Sequence, residues 1–510
     1  MNTDNRNDFS GQTQTVIRGA FVNLIGNVGK FSHFGFDLVA ARLMGQQVFG
    51  YYSTTWLILH LSFIVCYFGA HRLIIDAVVR SKAERSDELY RVVLAYLFLS
   101  FTLSFLLVAG IYLFAGDIAR ALDKPPIEEY LKIVVWSAPF YCATTIFLSA
   151  TRGLKIMRFW VIIRMGFEPF SDFVMISFFF FALNLLTAPF LAKVVSFFLG
   201  ACLSLYIFQK YFSQGNIFKS FPDRTIWKRI LSFGFPVMSA DFLSVVTLRL
   251  DIIPLSILAA APQVAIFQVI LNIGNIMRNL PQAIDPIMMP LVVEMKIKND
   301  MRGLENTYAT LIRVGLFLSF GFFILISLFG DLLLSVYGAG FTTGAFALII
   351  VVFGIMINVT FSSIEPVLVM SGYAYLNLFN NLFFVTINLI IDFLLIPSYG
   401  ILGAAVGSLS ASLLTSALQV TEIYVVLKLR PLRWSLLLIV VYGFLFLAVF
   451  SALEYSLSGL PHFIVYRSME VLVCTSLYLF TGWKWFFTLE ERALFRGVIK
   501  FPLKKGAREL

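Results

Sequence analysis

Polar side chains that could recognise a charged ligand recur inside long apolar stretches of this chain, and their spacing gathers them onto helical faces. Asn23, Asn27, Lys30 and Asp37 stand at i, i+4, i+7 and i+14, with His33 beside them, which makes one face of a helix with 3.6 residues per turn. Asn275, Arg278, Gln282 and Asp285 repeat the design at i, i+3, i+7 and i+10, and Pro281, Pro286 and Pro290 interrupt the same stretch. Such prolines kink helices and free carbonyls. Lys30 and Arg278 are candidates for holding a multiply charged anion such as a diphosphate, because an arginine fork grips phosphate oxygens in pairs while a lysine acts as a point charge. Asn377, Asn381 and Asn388 form an amide stripe that could face sugar hydroxyls or bond one helix to another. Asp37, Asp241, Glu365 and Asp392 are carboxylates in apolar surroundings, candidates for coupling to a proton or sodium ion.

Each of these has a structural reading beside the functional one. Lys30 and Arg278 could bridge the two halves of the protein by pairing with Asp241 or Glu168. Arg164, Glu168 and Asp172 lie at i, i+4 and i+8 and are expected to neutralise one another along one helix. Arg249 with Asp251, and Arg467 with Glu470, read as interfacial anchors. His71, Arg72 and Asp76 sit where a helix end allows snorkelling.

The elements that must position these groups are membrane helices. The chain has 510 residues, of which 59% are hydrophobic, 13% charged and 55 are Phe; soluble globular proteins do not have such a composition. Residues 393 to 421 contain no charge at all. A helix crosses the roughly 30 Å hydrocarbon core in about 20 residues, and irregular backbone is excluded from lipid because its polar groups find no partners there. Fourteen spans account for the pattern, centred near residues 28, 63, 104, 140, 170, 199, 241, 278, 321, 355, 385, 413, 444 and 474.

An even number of spans puts both ends on one side. Most of the 39 lysines and arginines fall in the connections and tails of that side, while the opposite side holds Arg42, Arg120, Lys124, Lys132 and Arg467. The positive-inside rule then makes both termini cytoplasmic. The net charge of +10 therefore orients a membrane protein and does not point to nucleic acid. The polar first 15 residues lack the zones of a cleaved signal, so the first span is expected to stay in place. Cys66, Cys142, Cys202 and Cys474 all fall in apolar stretches and read as packing residues.

The halves resemble each other at an offset of roughly 215 residues. Leu99 to Phe101 matches Leu318 to Phe320, Phe114 to Asp117 matches Leu328 to Asp331, Ile133 to Trp136 matches Ile350 to Phe353, and Gly45 to Tyr52 sits opposite Ala260 to Phe267. Six spans separate each element from its copy, so the repeat is parallel, an arrangement in transporters that places the substrate site at mid-depth between two bundles. The fold expected is all-α and integral to the membrane. It comprises a polar N-terminus (1–15), an N-lobe of six spans (16–212), a cytoplasmic linker (213–228), a C-lobe of six spans (229–428), a helix pair (432–488) and a basic tail (489–510).

Two stretches resemble a known family. Ala41 to Gly45 with Phe49, Gly50 and Tyr51 resembles the first-loop signature of the multidrug, oligosaccharidyl-lipid and polysaccharide exporter superfamily. Asn388 through Pro397, Gly400 and Gly403 to Gly407 resembles that superfamily's Asn, Ile-Pro, Gly and Gly-Ala-Ala stretch between spans eleven and twelve. Arg249 to Asp251 and Met289-Pro290 are further matches, and the likeness covers residues 16 to about 430. Asp392 departs from the pattern, standing where a second Asn is common.

The resemblance implies two lobes that alternate between inward-facing and outward-facing states. In the polysaccharide branch it also implies movement of a polyprenyl-diphosphate-linked oligosaccharide, such as an O-antigen (lipopolysaccharide) or exopolysaccharide repeat unit, across the cell inner membrane. Lys30 is similar in position to a basic residue of lipid-linked peptidoglycan precursor flippases, whose adjacent basic pair is replaced here by Ile64 and Val65.

Three functions compete. A flippase fits the mid-depth cations, with the glycan-bearing lipid and membrane lipids as partners, a polymerase or glycosyltransferases as further candidates, and no cofactor beyond an ion gradient. A drug or cation antiporter of the same superfamily would want carboxylates and aromatic rings in its cavity. An enzyme would need a catalytic domain, and connections of about 15 to 20 residues are too short for one. They also carry no nucleophile elbow, metal-ligand cluster or Gly-rich phosphate loop.

Overall fold

The computed structural model describes residues 4–84, 88–212, 222–279, 301–362, 364–430, 434–457 and 463–486; side chains within these segments are described except at 4–33, 83–84, 370, 374, 454, 455, 457 and 463–472. The described chain is helical with short connections, and no strand occurs among the described residues. Ten helices there are long and apolar enough to cross a membrane. The other four expected spans are the first half of the opening helix, a span wound partly as a π-helix, one that runs beyond Arg278 out of the described residues, and Phe463–Phe486.

Two compact units divide the chain: Met1–Gln268 with Val336–Phe341, and Val269–Ser335 with Thr342–Leu510. The first unit opens with α1 (Asp4–Tyr67), which carries the first two spans as one element turned at Gly45, φ 73° and ψ 174°. Only a residue without a Cβ takes that conformation freely. α2 (Ala70–Glu84) and α3 (Glu88–Ala121) follow, then α4 (Ile127–Val134) and α5 (Ser137–Gly153).

α5 is the unit's central helix, buried along nearly its whole length and packed against α2, α3 and a later helix, α7. Its hydroxyls do not need water: Thr144, Thr145 and Ser149 donate to the carbonyls of Phe140, Tyr141 and Thr145, each four residues back. Backbone acceptors on the same helix therefore satisfy groups that lipid cannot.

A π-helical stretch, Val161–Phe167, leads into α6 (Glu168–Phe181), which packs on α1 and on α7 (Ala188–Tyr211). α8 (Arg224–Leu248) begins where Asp223 Oδ1 accepts from the Ile226 backbone N–H at 3.0 Å, the bond expected of an N-cap aspartate. α9 (Ile252–Leu258) and the start of α10 (Ala261–Gly274) complete the unit. Lys124, almost fully buried outside the spans, donates to the carbonyl of Ser256 in the last turn of α9, a helix end that favours a cation. Burial pushes the Lys124 ammonium pKa down, and neighbouring Asp123 opposes that shift.

In the second unit α11 (Met301–Tyr337), α12 (Ala345–Phe361) and α13 (Ile364–Met370) precede the hairpin of α14 (Ala374–Tyr399) and α15 (Ile401–Leu427), which turns on the single residue Gly400. α16 (Trp434–Leu457) and α17 (Phe463–Phe486) pair with each other. They dock on α11 through aromatic rings. Tyr478 stacks on Phe317 at 5.0 Å and donates its hydroxyl to the Phe317 carbonyl at 3.1 Å, while Phe444 meets Phe320 edge-on at 5.2 Å.

The close packing of α14 on α15 depends on Gly407. A Cβ there would lie 2.0 Å from Oδ1 of Asp392, a residue with no exposed surface. Gly407→Ala should therefore destabilise the protein by about 1 to 3 kcal/mol, the usual range for overpacking, and lower the melting temperature in detergent. Gly110→Ala, at a site with nothing within 4 Å, is the matched control and should melt no lower than the parent; equal melting of the two variants would show that α14 and α15 are not held this closely.

Candidate functional site

Four charges of the first unit form two ion pairs, three of them on α6 and its π-helical lead and the fourth on α7. Arg164 bonds Glu168 at 2.8 Å, the Tyr141 carbonyl at 3.1 Å and the Thr145 hydroxyl at 2.5 Å, and its guanidinium lies 3.9 Å above the Tyr141 ring. Asp172 is bonded by Lys193 of α7, and both side chains are almost fully buried. Lys193 also sits 4.8 Å from the Phe36 ring and 5.0 Å from the Trp56 ring. The expected self-neutralisation of Arg164, Glu168 and Asp172 is thus half of what occurs: the i, i+4 pair forms, and the third charge is met from the neighbouring helix. Arg164 stands within the π-helical stretch and Asp172 in regular helix beyond it, and one guanidinium cannot neutralise two carboxylates.

Lys193 is a residue that sequence reasoning missed. Its signal was available, because Arg164, Glu168 and Asp172 sum to one negative charge and Lys193 stands inside an apolar span, where an unpaired charge is costly. Asp37, also buried, acts electrostatically on Arg249 and on the Tyr52 hydroxyl. Arg249 reaches Gln268 Oε1 at 3.4 Å, so it is turned onto protein and not simply anchored in the interface. His60 stacks on Trp56 at 5.9 Å, with its Nδ1 buried and unbonded.

A second cluster lies at the end of the unit that the charge bias assigns to the cytoplasm. Arg229 of α8 bonds both Asp76 of α2 and Glu88 of α3. Asp241, also on α8, accepts from Arg72 at 3.3 Å and from the Tyr67 hydroxyl at 3.3 Å, with His71 Nδ1 at 3.7 Å. Asp76 further holds Arg80 at 3.1 Å. His71, Arg72 and Asp76 are therefore committed to protein partners. Glu168 and Asp241, the carboxylates considered as partners for Lys30 and Arg278, have Arg164 and Arg72 beside them.

In the second unit the amides separate into two classes. Asn381 donates to Asn377 at 3.2 Å on an exposed face of α14, whereas Asn388 is fully buried. Asn380, one position from the expected stripe, donates to Glu422 of α15 at 2.7 Å; neither was singled out from the sequence. Asn275 is exposed just past the end of α10 and Arg278 half-buried. The helix thus yields to turns at Asn275, ahead of the prolines. Glu365 is half-buried on α13 and Asp392 fully buried beside Gly407. The side chains of Asn23, Asn27, Lys30 and His33, and the whole of Gln282, lie outside the described residues. Among the described residues no group of three or more His, Cys, Asp or Glu side chains is placed to hold a metal ion.

The sequence model of a family described as "Polysaccharide biosynthesis protein" matches residues 16–295. No curated protein matches the chain. Among solved structures, the fold is similar to that of lipid II flippase MurJ in an inward closed conformation, with a TM-score of 0.68, 14% identity, and coverage of 92% of this chain and 99% of that one. It is also similar to a multidrug resistance MATE family transporter of the MOP superfamily in an inward-facing conformation: TM-score 0.64, 14% identity, 78% of this chain and 95% of that one. An outward-facing MATE family transporter gives a TM-score of 0.51 at 14% identity over 79% and 93%. At these identities the likeness is one of fold: an all-helical membrane transporter architecture.

The Asp172 and Lys193 pair makes a prediction about what fastens α6 to α7. Lys193→Met strands a buried carboxylate and should cost about 3 to 5 kcal/mol, while Lys193→Met with Asp172→Leu should recover most of that loss. Thermal unfolding in detergent reads both. A single variant as stable as the parent would mean that the pair does not hold these helices together.

Proposed function

The chain belongs to the polysaccharide biosynthesis protein family, and from that membership we propose that it is a flippase carrying a polyprenyl-diphosphate-linked oligosaccharide, an O-antigen or exopolysaccharide repeat unit, across the inner membrane with both termini in the cytoplasm. The observation that carries this reading is the family match over residues 16–295, on a fold shared with a lipid II flippase. The physical need is clear. Moving a diphosphate and several sugars through hydrocarbon unaided strips their hydration without replacement. A polar cavity open sideways to the bilayer supplies substitute partners while the polyprenyl tail stays in lipid.

In this reading Lys30 and Arg278 hold the diphosphate, one in each lobe, and Asn23, Asn27, His33, Asn275, Gln282, Asn377, Asn381 and Asn388 line the path of the sugars. Alternating access then needs contacts that break at one end. The bonds from Arg229 to Asp76 and Glu88, and from Asp241 to Arg72, join the first helix of the second repeat to the second and third helices of the first repeat, so they must part when that end opens. Asp37, Asp241, Glu365 and Asp392 remain the candidates for coupling to a proton or sodium gradient. For Asp241, ion uptake would displace Arg72. A polymerase or glycosyltransferases acting on the same lipid-linked glycan are the proposed partners.

An organic cation antiporter fits the first unit less well. Its aromatic-lined interior around Trp56, Tyr141 and Phe197 does contain Glu168 and Asp172, but Arg164 and Lys193 already neutralise them, which removes the negative charge a cationic drug would seek.

Deletion of the gene should cause unflipped lipid-linked repeat to accumulate at the cytoplasmic leaflet. Lys30→Ala combined with Arg278→Ala should reproduce that accumulation in protein that is made and folded normally, and cut polymer output by at least tenfold, about 1.4 kcal/mol of lost recognition. Normal polymer from the double variant would rule out the roles given to these two cations. Sodium- or proton-driven export of organic cations by the reconstituted protein would replace the flippase with the antiporter.

A further inference from the structure

A pocket of about 400 Å³ opens on the first unit between α3, α4 and α7, lined by Tyr112, Glu129, Lys132, Ile133, Trp136 and two aliphatic residues of α7. That volume is within the range of small-molecule sites. No role described above uses it. Tyr112 lies 24 residues beyond Glu88 on the same helix, about 36 Å at 1.5 Å per residue, so the pocket sits roughly one hydrocarbon thickness from the Arg229 cluster. Its position is therefore the opposite membrane interface.

The surroundings are those of a lipid-facing surface. Along α3, Phe98, Phe105 and Tyr112 recur every seven residues, with Leu106 and Leu113 beside them, and all five are more than half exposed. This is a continuous apolar stripe on one face of a spanning helix. It ends at the pocket mouth, where the Trp136 indole N–H donates to the Tyr112 hydroxyl at 3.3 Å. Paired amphipathic rings of this kind settle at the headgroup level.

The polar groups at the rim are of both signs and only partly used. Lys132 donates one of its three N–H groups to Glu128 at 2.6 Å, which leaves two for another acceptor. The Tyr112 oxygen accepts from Trp136, so its own proton is available to donate. Glu129 is exposed at the pocket beside them. Two donors for a phosphate ester and one carboxylate for an ammonium stand over an apolar floor made by Ile133, Leu191 and Val194.

We propose that this pocket binds the headgroup of a phosphatidylethanolamine from the outer leaflet, with the phosphate on Lys132 and Tyr112, the primary ammonium on Glu129, and the acyl chains along the exposed stripe of α3. The charge pattern selects this lipid. A net anionic headgroup would meet Glu128 and Glu129 next to the one cation, and a trimethylated ammonium has no N–H to donate to Glu129. None of its lining residues is among those given a part in carrying the glycan or the coupling ion, so its fate and that of the flippase reading are separable.

The test uses the full-length protein in nanodiscs containing equal parts of phosphatidylethanolamine, phosphatidylglycerol and phosphatidylcholine, with retained lipid measured by native mass spectrometry after release. The parent should retain phosphatidylethanolamine in preference to the other two. Lys132→Ala should lower that retention about tenfold, as loss of a charge-assisted hydrogen bond implies. Glu129→Gln, which keeps shape and fold, should leave binding but erase the preference over phosphatidylcholine. Equal retention of the three lipids by the parent, a preference for phosphatidylglycerol, or a preference for phosphatidylethanolamine unchanged in Glu129→Gln would each overturn the assignment.

Discussion

Burial of charge in a medium that cannot solvate it is the constraint on which this structure turns. An ion alone in hydrocarbon is far more costly than one that is paired and hydrogen-bonded, and the first unit places its helices to suit. Arg164 brings together three elements at once, because its five donors reach Glu168, the Tyr141 carbonyl and the Thr145 hydroxyl while its plane lies on an aromatic ring. Lys193 does the same between α6 and α7, enclosed by Asp172 and the faces of aromatic rings. The two units solve the problem differently. In the second, the described polar contacts of the α14 and α15 hairpin rest on an amide-to-carboxylate bond between Asn380 and Glu422, and on the space that Gly407 leaves for Asp392.

Much of the architecture was legible in the sequence because membrane helices are specified by crude quantities. Length and apolar content fix where a helix must cross, and no competing structure survives in lipid. What remained illegible was local winding. Ala41 to Gly45 reads as a connection between two spans, yet helix continues through it with Gly45 alone leaving helical geometry; one residue with φ of 73° is enough to turn the chain. The π-helical winding of Val161–Phe167 left no mark in residue periodicity, although it decides which face each later charge of that span occupies.

Site residues were legible to the extent that their chemistry was self-announcing. A carboxylate such as Asp172 or Asp392 in an apolar run has to be buried away from lipid, and both are. Its partner is a different matter. Pairing across helices depends on rotation about two axes, so neither Lys193 nor the bond between Asn380 and Glu422 follows from spacing along one segment. The amide stripe shows the same gap: Asn377 and Asn388 are eleven residues apart and share a face on an ideal helix, but one is partly exposed and the other sealed, because neighbouring helices cover a face only over part of its length.

The interruptions of regular helix are themselves informative. Gly45 follows Arg42, which donates to the Val336 carbonyl at 3.1 Å. The π-helical stretch carries Arg164, and the end of α10 at Gly274 is followed at once by Asn275 and Arg278. Irregular backbone at membrane depth is tolerated only where protein or water surrounds it, and freed carbonyls and amides then need polar neighbours. At two of these places the cation donates to a carbonyl of another helix, Arg42 to Val336 and Arg164 to Tyr141. The same geometry keeps the cation out of lipid, so break and charge stabilise each other. The corresponding places in the two halves, Gly45 to Tyr52 and Ala260 to Phe267, both begin where the chain leaves helical conformation, at Gly45 in one and at extended Ala259 in the other. A duplicated bundle can diverge in side chains while retaining its joints, because a joint moved along the helix would expose unsatisfied backbone where no polar partner waits.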